Sequence, residues 1–203
     1  MGTLVARWTL ERVSSRQPST QSSGTVTTSL VVMVVIVVGL WAVELVDQAS
    51  GNALDAYGIR PRTDEGLFSV FTAPLLHGSW AHLASNSLPF LILGFLVLLD
   101  GWKAWLVATL TSVISSGLLV WLVAPAGSIT LGASGVVFGW LTYLLLRGLF
   151  SANLGQLVLA AVLFVLYGGL LWGVLPGAVG ISWQGHLGGA LGGGVAAWLL
   201  RRR

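Results

Sequence analysis

Four polar side chains suited to acyl transfer stand out in a chain that is otherwise strongly apolar. Ser134 lies between glycines in LGASGVVFGW, and His186 lies in GHLGGALGGG. His82 and Asn86 stand four residues apart in HGSWAHLASN, which places them on one face of a helix. A serine hydroxyl becomes a nucleophile when a base takes its proton, and neutral imidazole is the usual base. The residue types therefore favour a Ser134–His186 dyad.

An acyl-transfer site also needs hydrogen-bond donors for the oxyanion that develops on the substrate. Asn86 carries an amide NH₂, His82 a ring N–H, and the backbone N–H of Ser134 opens a predicted helix, where amides lack partners. Gly132 and Gly135 let the chain turn sharply beside the serine. No carboxylate shares the depth of these groups, because Glu44 lies near the outer end of the first apolar segment. We therefore expect a dyad rather than a triad.

The composition indicates a membrane protein. The 203 residues are 55% hydrophobic and only 8% charged, and the mean hydropathy is +0.87. A soluble domain has about 25% charged residues, so this chain cannot cover a globular surface with polar groups. There is no cysteine, hence no disulfide and no thiolate site for a metal. We expect the lipid bilayer as a partner, no nucleic acid, no metal and no other cofactor.

The elements that must position these residues are helices long enough to cross a bilayer, which takes about 20 mostly apolar residues each. The predicted fold is an all-α bundle of six transmembrane helices. The first apolar segment is too long for a secretory signal and lacks an A-x-A cleavage site, so we expect a retained anchor. The predicted spans are residues 26–46, 81–99, 102–123, 134–150, 154–175 and 183–200.

The basic residues predict the orientation of this bundle. With the N-terminus inside, the cytoplasmic segments hold eight of the ten basic residues, and only Arg60 and Arg62 fall outside. Both termini are therefore expected in the cytoplasm. Residues 1–25 are predicted to form a disordered cytoplasmic tail and residues 26–203 a single domain, in which residues 47–76 are the one sizeable outer loop.

The polar residues fall at a common depth. Ser134 lies 13 residues before Arg147 on its helix, which is roughly 20 Å at the α-helical rise. The same count, made from the nearest inner charge, puts Asn86 and His186 at nearly the same level, about 10 Å below the outer surface. Singly, a serine more often bonds its own backbone and an asparagine more often joins helices. His77 similarly fits an interfacial anchor or a brace for the loop. Jointly, polar groups at this depth mark function.

Glycines on the last predicted span explain how His186 could reach Ser134. Gly189 and Gly193 are four residues apart, and glycine at this spacing lets two helices approach closely. We expect them to bring the sixth span against the fourth. General helix packing requires the same contact, so the two interpretations are compatible.

At these residues the chain resembles the rhomboid family of intramembrane serine proteases. HGSWAHLASN, GASGVVFG and GHLGGALGG occur in the expected order on the second, fourth and sixth predicted spans. The resemblance implies that Ser134 attacks a peptide bond and that His186 acts as base and then acid. It implies that Asn86, His82 and the Ser134 amide hold the oxyanion, and that single-span membrane proteins are cut near the outer face. It also implies a lateral gate on the fifth span, where Trp172 is the candidate.

Two of the departures of this chain from the family pattern concern the outer loop and the histidine. Relatives often carry a Trp-Arg pair in the outer loop where this chain has Phe68 and Ser69, which leaves the anchoring of the loop open. Phe138 stands four residues after the serine where tyrosine is frequent, so stacking on His186 is expected without the hydroxyl.

Two alternatives remain beside the protease. One is a catalytically inactive rhomboid-like protein that binds membrane-protein clients, which loss of Ser134 or His186 would signal. The other is a small channel or transporter, which inverted repeats would support. Neither signal is evident in the sequence, and the expected location is the bacterial cytoplasmic membrane. The sequence does not predict an oligomeric state.

Overall fold

The computed structural model describes residues 23–151, 153–178 and 180–201 as a bundle of helices. Three 3-10 segments accompany the α-helices in this part of the chain, at Ala53–Tyr57, Ala73–Leu75 and Gly168–Val174. The seven α-helices are α1 (Ser23–Ala49), α2 (Asp64–Phe68), α3 (Trp80–Leu99), α4 (Trp102–Val123), α5 (Ser134–Ser151), α6 (Leu154–Tyr167) and α7 (Trp183–Leu200).

Most of the predicted spans are present with small changes at their ends. α4 and α7 have the predicted bounds, and α3 and α5 differ from them by one residue at one end. α1 starts at Ser23, so the last three residues of the predicted tail are helical, and residues 1–22 lie outside the described residues. The predicted fifth span is helical in two parts, because α6 ends at Tyr167 and a 3-10 segment continues it.

Five helices in the described part of the chain are long and apolar enough to cross a membrane. They are α1, α3, α4, α5 and the combined segment 154–174. The sixth predicted span, α7, is not among them. It has 18 residues, but it is rich in glycine and carries Gln184 and His186 in its first turns. The chain is therefore an all-helical, multi-pass membrane protein, and α7 is the one long helix of its described part that is not apolar enough to count as a span.

α7 packs closely between α4 and α5 because its glycines present backbone to both neighbours. A Cβ on Gly189 or Gly193 would overlap the backbone carbonyl of Gly135 or Gly139 on α5. On the opposite side, hydroxyls of α4 reach α7: Ser115 Oγ donates to the carbonyl of Gly188 at 2.6 Å. Helices approach this closely in lipid only where small residues line the contact.

The outer loop is anchored on the end of α4 and on the segment before Ser134. Arg62 Nη1 donates to the carbonyls of Leu122 and Ala124 at 3.0 and 2.9 Å, and Ile59 forms an isolated antiparallel bridge with Thr130. These contacts supply an anchorage for a loop in which Phe68 is 79% exposed. The loop therefore braces the chain that leads into α5.

Candidate active site

The catalytic candidates on α5 and α7 meet in a geometry suited to proton transfer. Ser134 is the first residue of α5 and His186 lies in the first turn of α7. Ser134 Oγ and His186 Nε2 are 2.9 Å apart. His186 Nδ1 lies 3.0 Å from the carbonyl oxygen of Gly173. Because a carbonyl only accepts, Nδ1 carries the ring proton, and Nε2 is left to accept from the serine hydroxyl.

The imidazole of His186 is held on its face as well as at its nitrogen atoms. The ring of Phe138 stacks on it with centroids 4.1 Å apart and an interplanar angle of 11°. Phe138 and Ser134 lie one turn apart on α5, which explains why both reach the same histidine. A Cβ on Gly173 would lie 2.9 Å from Nδ1, so glycine is required for the carbonyl contact. The ring therefore has one tautomer and one plane.

The polar residues that the sequence singles out line one cavity, here termed the site cavity, of about 680 Å³. It opens between the outer loop, the segment before α5 and the starts of α3 and α7. Among the lining residues are His82, Asn86, Gly132, Ser134, Gly135, Phe138 and His186.

The chain turns into α5 at Gly132, which has a φ of +123°. This is the conformation that favours glycine over residues with a side chain. A Cβ there would also lie 2.7 Å from Cε1 of His82, so the imidazole packs directly on the turn. The turn places Ser134 at the start of a helix, where backbone N–H groups have no intrahelical partner.

Asn86 and His82 occupy the site cavity, but Asn86 has a different hydrogen bond from the one the sequence predicts. Its Nδ2 donates to the backbone carbonyl of His82 at 3.0 Å, within α3. This is the local bonding that short polar side chains favour in helices. That bond uses one of the two N–H groups of the amide, and the other is left to donate to an oxyanion.

His77 braces the approach to Ser134. Its side chain is 1% exposed, and its Nε2 accepts a hydrogen bond from the backbone N–H of Ala133 at 3.4 Å. The ring also meets that of His82 edge-on, with centroids 5.2 Å apart. Burial, followed by the nearby His82, lowers the pKa of His77 to about 4. A neutral ring is the form that accepts from Ala133. Of the two sequence interpretations of His77, the loop brace agrees with these contacts.

Other candidates lie away from the cavity. Trp172 is 74% exposed on the 3-10 segment, one residue before the carbonyl that holds His186. Glu44 is buried on α1, where its Oε1 accepts from Gln48 Nε2 at 3.0 Å. That bond is to its own helix, and none of its described hydrogen bonds reaches His186.

Sequence reasoning missed the hydroxyls that fix α7. Ser116 Oγ donates to the carbonyl of Gly185 at 2.8 Å, one residue before His186. Ser115 makes the equivalent contact one turn further along α7. The signal was present as two adjacent serines within an apolar span, but the sequence does not show which neighbouring helix they face.

The sequence profile of the Rhomboid domain matches residues 64–203, which is more than half of the chain. The chain belongs to the rhomboid family. The match covers every long helix after α1 and includes the segments that carry His82, Ser134 and His186.

Individual relatives agree with this assignment. An uncharacterized protein of Mycobacterium tuberculosis (strain H37Rv) is 47% identical over 169 residues, which cover 79% of this chain and 70% of that protein. An uncharacterized protein of Mycobacterium leprae is 43% identical over 79% of this chain and 67% of its own length. Rhomboid-like protein 11, chloroplastic, of Arabidopsis thaliana is 32% identical over 66% of this chain and 53% of its length.

Proposed function

We propose that this rhomboid-family protein is an intramembrane serine endopeptidase with a Ser134–His186 dyad. The observation that carries the proposal is the line of contacts from Ser134 Oγ through His186 to the Gly173 carbonyl. In the first step Ser134 Oγ attacks the carbonyl carbon of a peptide bond, and its proton passes to Nε2. His186 then gives that proton to the leaving nitrogen as the C–N bond breaks. Water hydrolyses the resulting acyl ester by the same proton route.

The oxyanion of each tetrahedral intermediate needs donors close to Ser134. Its own backbone N–H is available at the helix start, and we propose that His82 and Asn86 supply the others from α3. All three line the site cavity. Asn86 would keep its bond to the His82 carbonyl and donate its second N–H to the oxyanion, a contribution that strengthens as charge develops in the transition state.

The proposed substrates are single-span membrane proteins that enter from the bilayer and are cut near its outer face. α6 and the 3-10 segment after it lie at the edge of the bundle and carry Trp172, which we propose as part of a lateral gate. Movement there would also shift Gly173, so entry of substrate and orientation of His186 are linked. Gate opening is then a step that can limit turnover.

We further propose six membrane crossings, with α7 as the sixth and both termini in the cytoplasm of a bacterial cell. The bias of basic residues supports this orientation, and the mycobacterial relatives support a bacterial membrane. The chain has no cysteine, so single introduced thiols report their side without interference. A membrane-impermeant maleimide should label Arg60→Cys in intact cells and label Arg201→Cys only after lysis. Labelling of Arg201→Cys in intact cells contradicts the topology.

The activity is tested with a fluorescent fluorophosphonate on the purified full chain in mild detergent. The unmodified protein should label, because attack on phosphorus requires an activated serine. Ser134→Ala and His186→Ala should stay dark. Ser128→Ala is the matched control, since Ser128 also lines the site cavity but bonds the Pro125 carbonyl, and it should label normally.

A folded, unmodified protein that stays dark in both detergent and lipid would overturn the protease proposal. The inactive client-binding protein would then become the leading hypothesis. Labelling that persists in Ser134→Ala would assign the reactive hydroxyl to another serine.

A further inference from the structure

A second cavity lies at the end of the bundle opposite the site cavity, and we term it the basal pocket. It holds about 130 Å³ and lies where α3, α5 and α7 end and α4 and α6 begin. Its polar lining comes from several of these helices and has no part in the proposed reaction. These polar residues are Asp100, Tyr143, Arg147, Ser151, Gln156 and Arg201.

Two guanidinium groups and one carboxylate line the basal pocket. Arg147 forms an ion pair with Asp100, and Tyr143 OH donates to the same carboxylate oxygen at 3.1 Å. Arg201 stands over the ring of Trp198, 4.3 Å from its centroid, and donates to the Trp198 carbonyl. Both arginines are therefore fixed in place, and the pocket keeps one excess positive charge. Fixed guanidinium groups are well suited to phosphate oxygens.

The pocket also contains an acceptor that lacks a donor. Gln156 Oε1 is buried and has no hydrogen-bond partner in the described part of the chain. Gln156 lies in the first turn of α6, where its backbone N–H donates to Asn153 Oδ1. A buried amide oxygen without a partner is costly, and a hydroxyl group is a donor that would satisfy it.

The rim of the basal pocket is apolar and exposed. Phe150 lines the pocket and is 46% exposed, and Leu149 and Leu154 beside it are exposed more fully. Trp102 and Trp198 are exposed at the same end of the bundle, where tryptophans mark the membrane interface. A ligand that fits this rim carries an apolar chain as well as an anionic group.

We infer that the basal pocket binds the phosphodiester headgroup of an anionic lipid whose headgroup carries a hydroxyl. Arg147 and Arg201 hold the phosphate, Gln156 accepts from the hydroxyl, and the acyl chains lie along Phe150. Basic pockets between transmembrane helices at one membrane face are known to select anionic headgroups. A soluble phosphodiester offers the same polar chemistry without the chains, so the test separates the two sources.

Native mass spectrometry of the full chain in detergent measures this binding directly. With equal amounts of phosphatidylglycerol and phosphatidylcholine, the protein should retain phosphatidylglycerol preferentially. Arg201→Gln should weaken that retention about fivefold, which corresponds to one interfacial cation. The matched control is Lys103→Gln, which removes an exposed cation at the same end without touching the pocket. It should leave retention unchanged.

Two further arms test the headgroup and the lipid. Gln156→Leu should abolish any preference for phosphatidylglycerol over phosphatidylmethanol, whose headgroup has no hydroxyl. Millimolar glycerol phosphate should not displace the bound lipid. Equal retention of phosphatidylcholine, an equal loss in Lys103→Gln, or displacement by glycerol phosphate would each overturn the proposal. Fluorophosphonate labelling of Arg201→Gln should match that of the unmodified protein. A failure of the lipid proposal can then be distinguished from a failure of the Ser134–His186 dyad.

Discussion

α6 and α7 follow each other in the chain but meet opposite surroundings. Only 11% of the most apolar stretch of segment 154–174 is buried, so its large side chains face lipid. α7 is less apolar, yet eight of its 18 residues are buried between α4 and α5. In a bilayer a hydrophobic side chain gains nothing by leaving lipid for protein, whereas small residues permit close contact. Along these two helices, large apolar residues therefore mark the side that faces lipid, and glycines mark the side that faces the interior.

Enlarging the glycine contact should give the largest effect. A Cβ on Gly193 overlaps the backbone of Gly139, so Gly193→Ala forces α5 and α7 apart. We expect a loss of about 3 kcal/mol in the free energy of unfolding and loss of most fluorophosphonate labelling. The neighbouring Gly194 is the matched control, because its nearest contact is Leu146 Cδ1 at an ordinary 3.6 Å.

Thermal unfolding of both variants measures the contrast. Gly194→Ala should unfold at or above the temperature of the unmodified protein, since alanine stabilises a helix by about 0.5–1 kcal/mol relative to glycine. Equal behaviour of the two variants would mean that the close contact between α5 and α7 does not determine stability.

The contact of His77 with the backbone N–H of Ala133 should make the stability of the protein sensitive to acid. The pKa of His77 is lowered to about 4 from 6.5, so unfolding lets the ring bind a proton between those values. The stabilisation by neutral His77 is fully present above pH 6.5 and is lost as the pH falls towards 4, by up to about 3 kcal/mol. His77→Gln keeps an acceptor for Ala133 but does not titrate.

Unfolding midpoints at pH 7 and pH 5 test this prediction. The unmodified protein should lose more stability between the two values than His77→Gln does. The same pH dependence in both proteins would assign the acid sensitivity to other groups.

A smaller effect is expected from the hydroxyls of α4 that hold α7. Ser116→Ala removes the bond to the Gly185 carbonyl, and such interhelical bonds contribute about 0.6 kcal/mol each. Fluorophosphonate labelling should fall modestly, because the bond to Gly185 helps to position His186, the next residue in the chain. Ser128→Ala, which removes only a local bond to Pro125, should leave the unfolding midpoint unchanged.

The smallest effect should come from the lipid-facing surface. Val165 on α6 is 81% exposed in the described structure, whereas Leu163 is 2% exposed. Val165→Ala should change the free energy of unfolding by less than about 0.5 kcal/mol, and Leu163→Ala should cost more. A large loss from Val165→Ala would indicate that another protein surface covers α6.

Much of the contrast between lipid-facing helices and closely packed helices could be predicted from the sequence, because it depends on which segments are apolar and which are rich in glycine. Long apolar runs predicted α4 with its observed bounds, and the glycine spacing predicted the close contact of α7 with α5. Counting along each helix also predicted that Ser134, His186 and Asn86 share a depth, and all three line the site cavity.

Counting residues along a helix gives the depth of a side chain but not the direction in which it points around the helix axis. It did not predict that Ser116 faces α7, that Asn86 bonds its own helix, or that Asp100 pairs with Arg147. Those contacts depend on rotation and on neighbours distant in sequence. The end of α6 within the predicted fifth span has a clearer signal in the sequence. Gly168 and Gly169 stand where α6 ends and the 3-10 segment begins.

The unequal lengths of the helices have a consequence for the membrane itself. α1, with 27 residues, is about 40 Å long. α5 and α7, with 18 residues each, are about 27 Å long. A hydrocarbon layer about 30 Å thick must be matched by the helices that touch it. Only the helices that contact lipid must match the thickness of the hydrocarbon layer. The shorter central helices can therefore begin below the membrane surface without thinning the bilayer. The site cavity can therefore reach Ser134 within the bundle while the longer helices around it still match the thickness of the hydrocarbon layer.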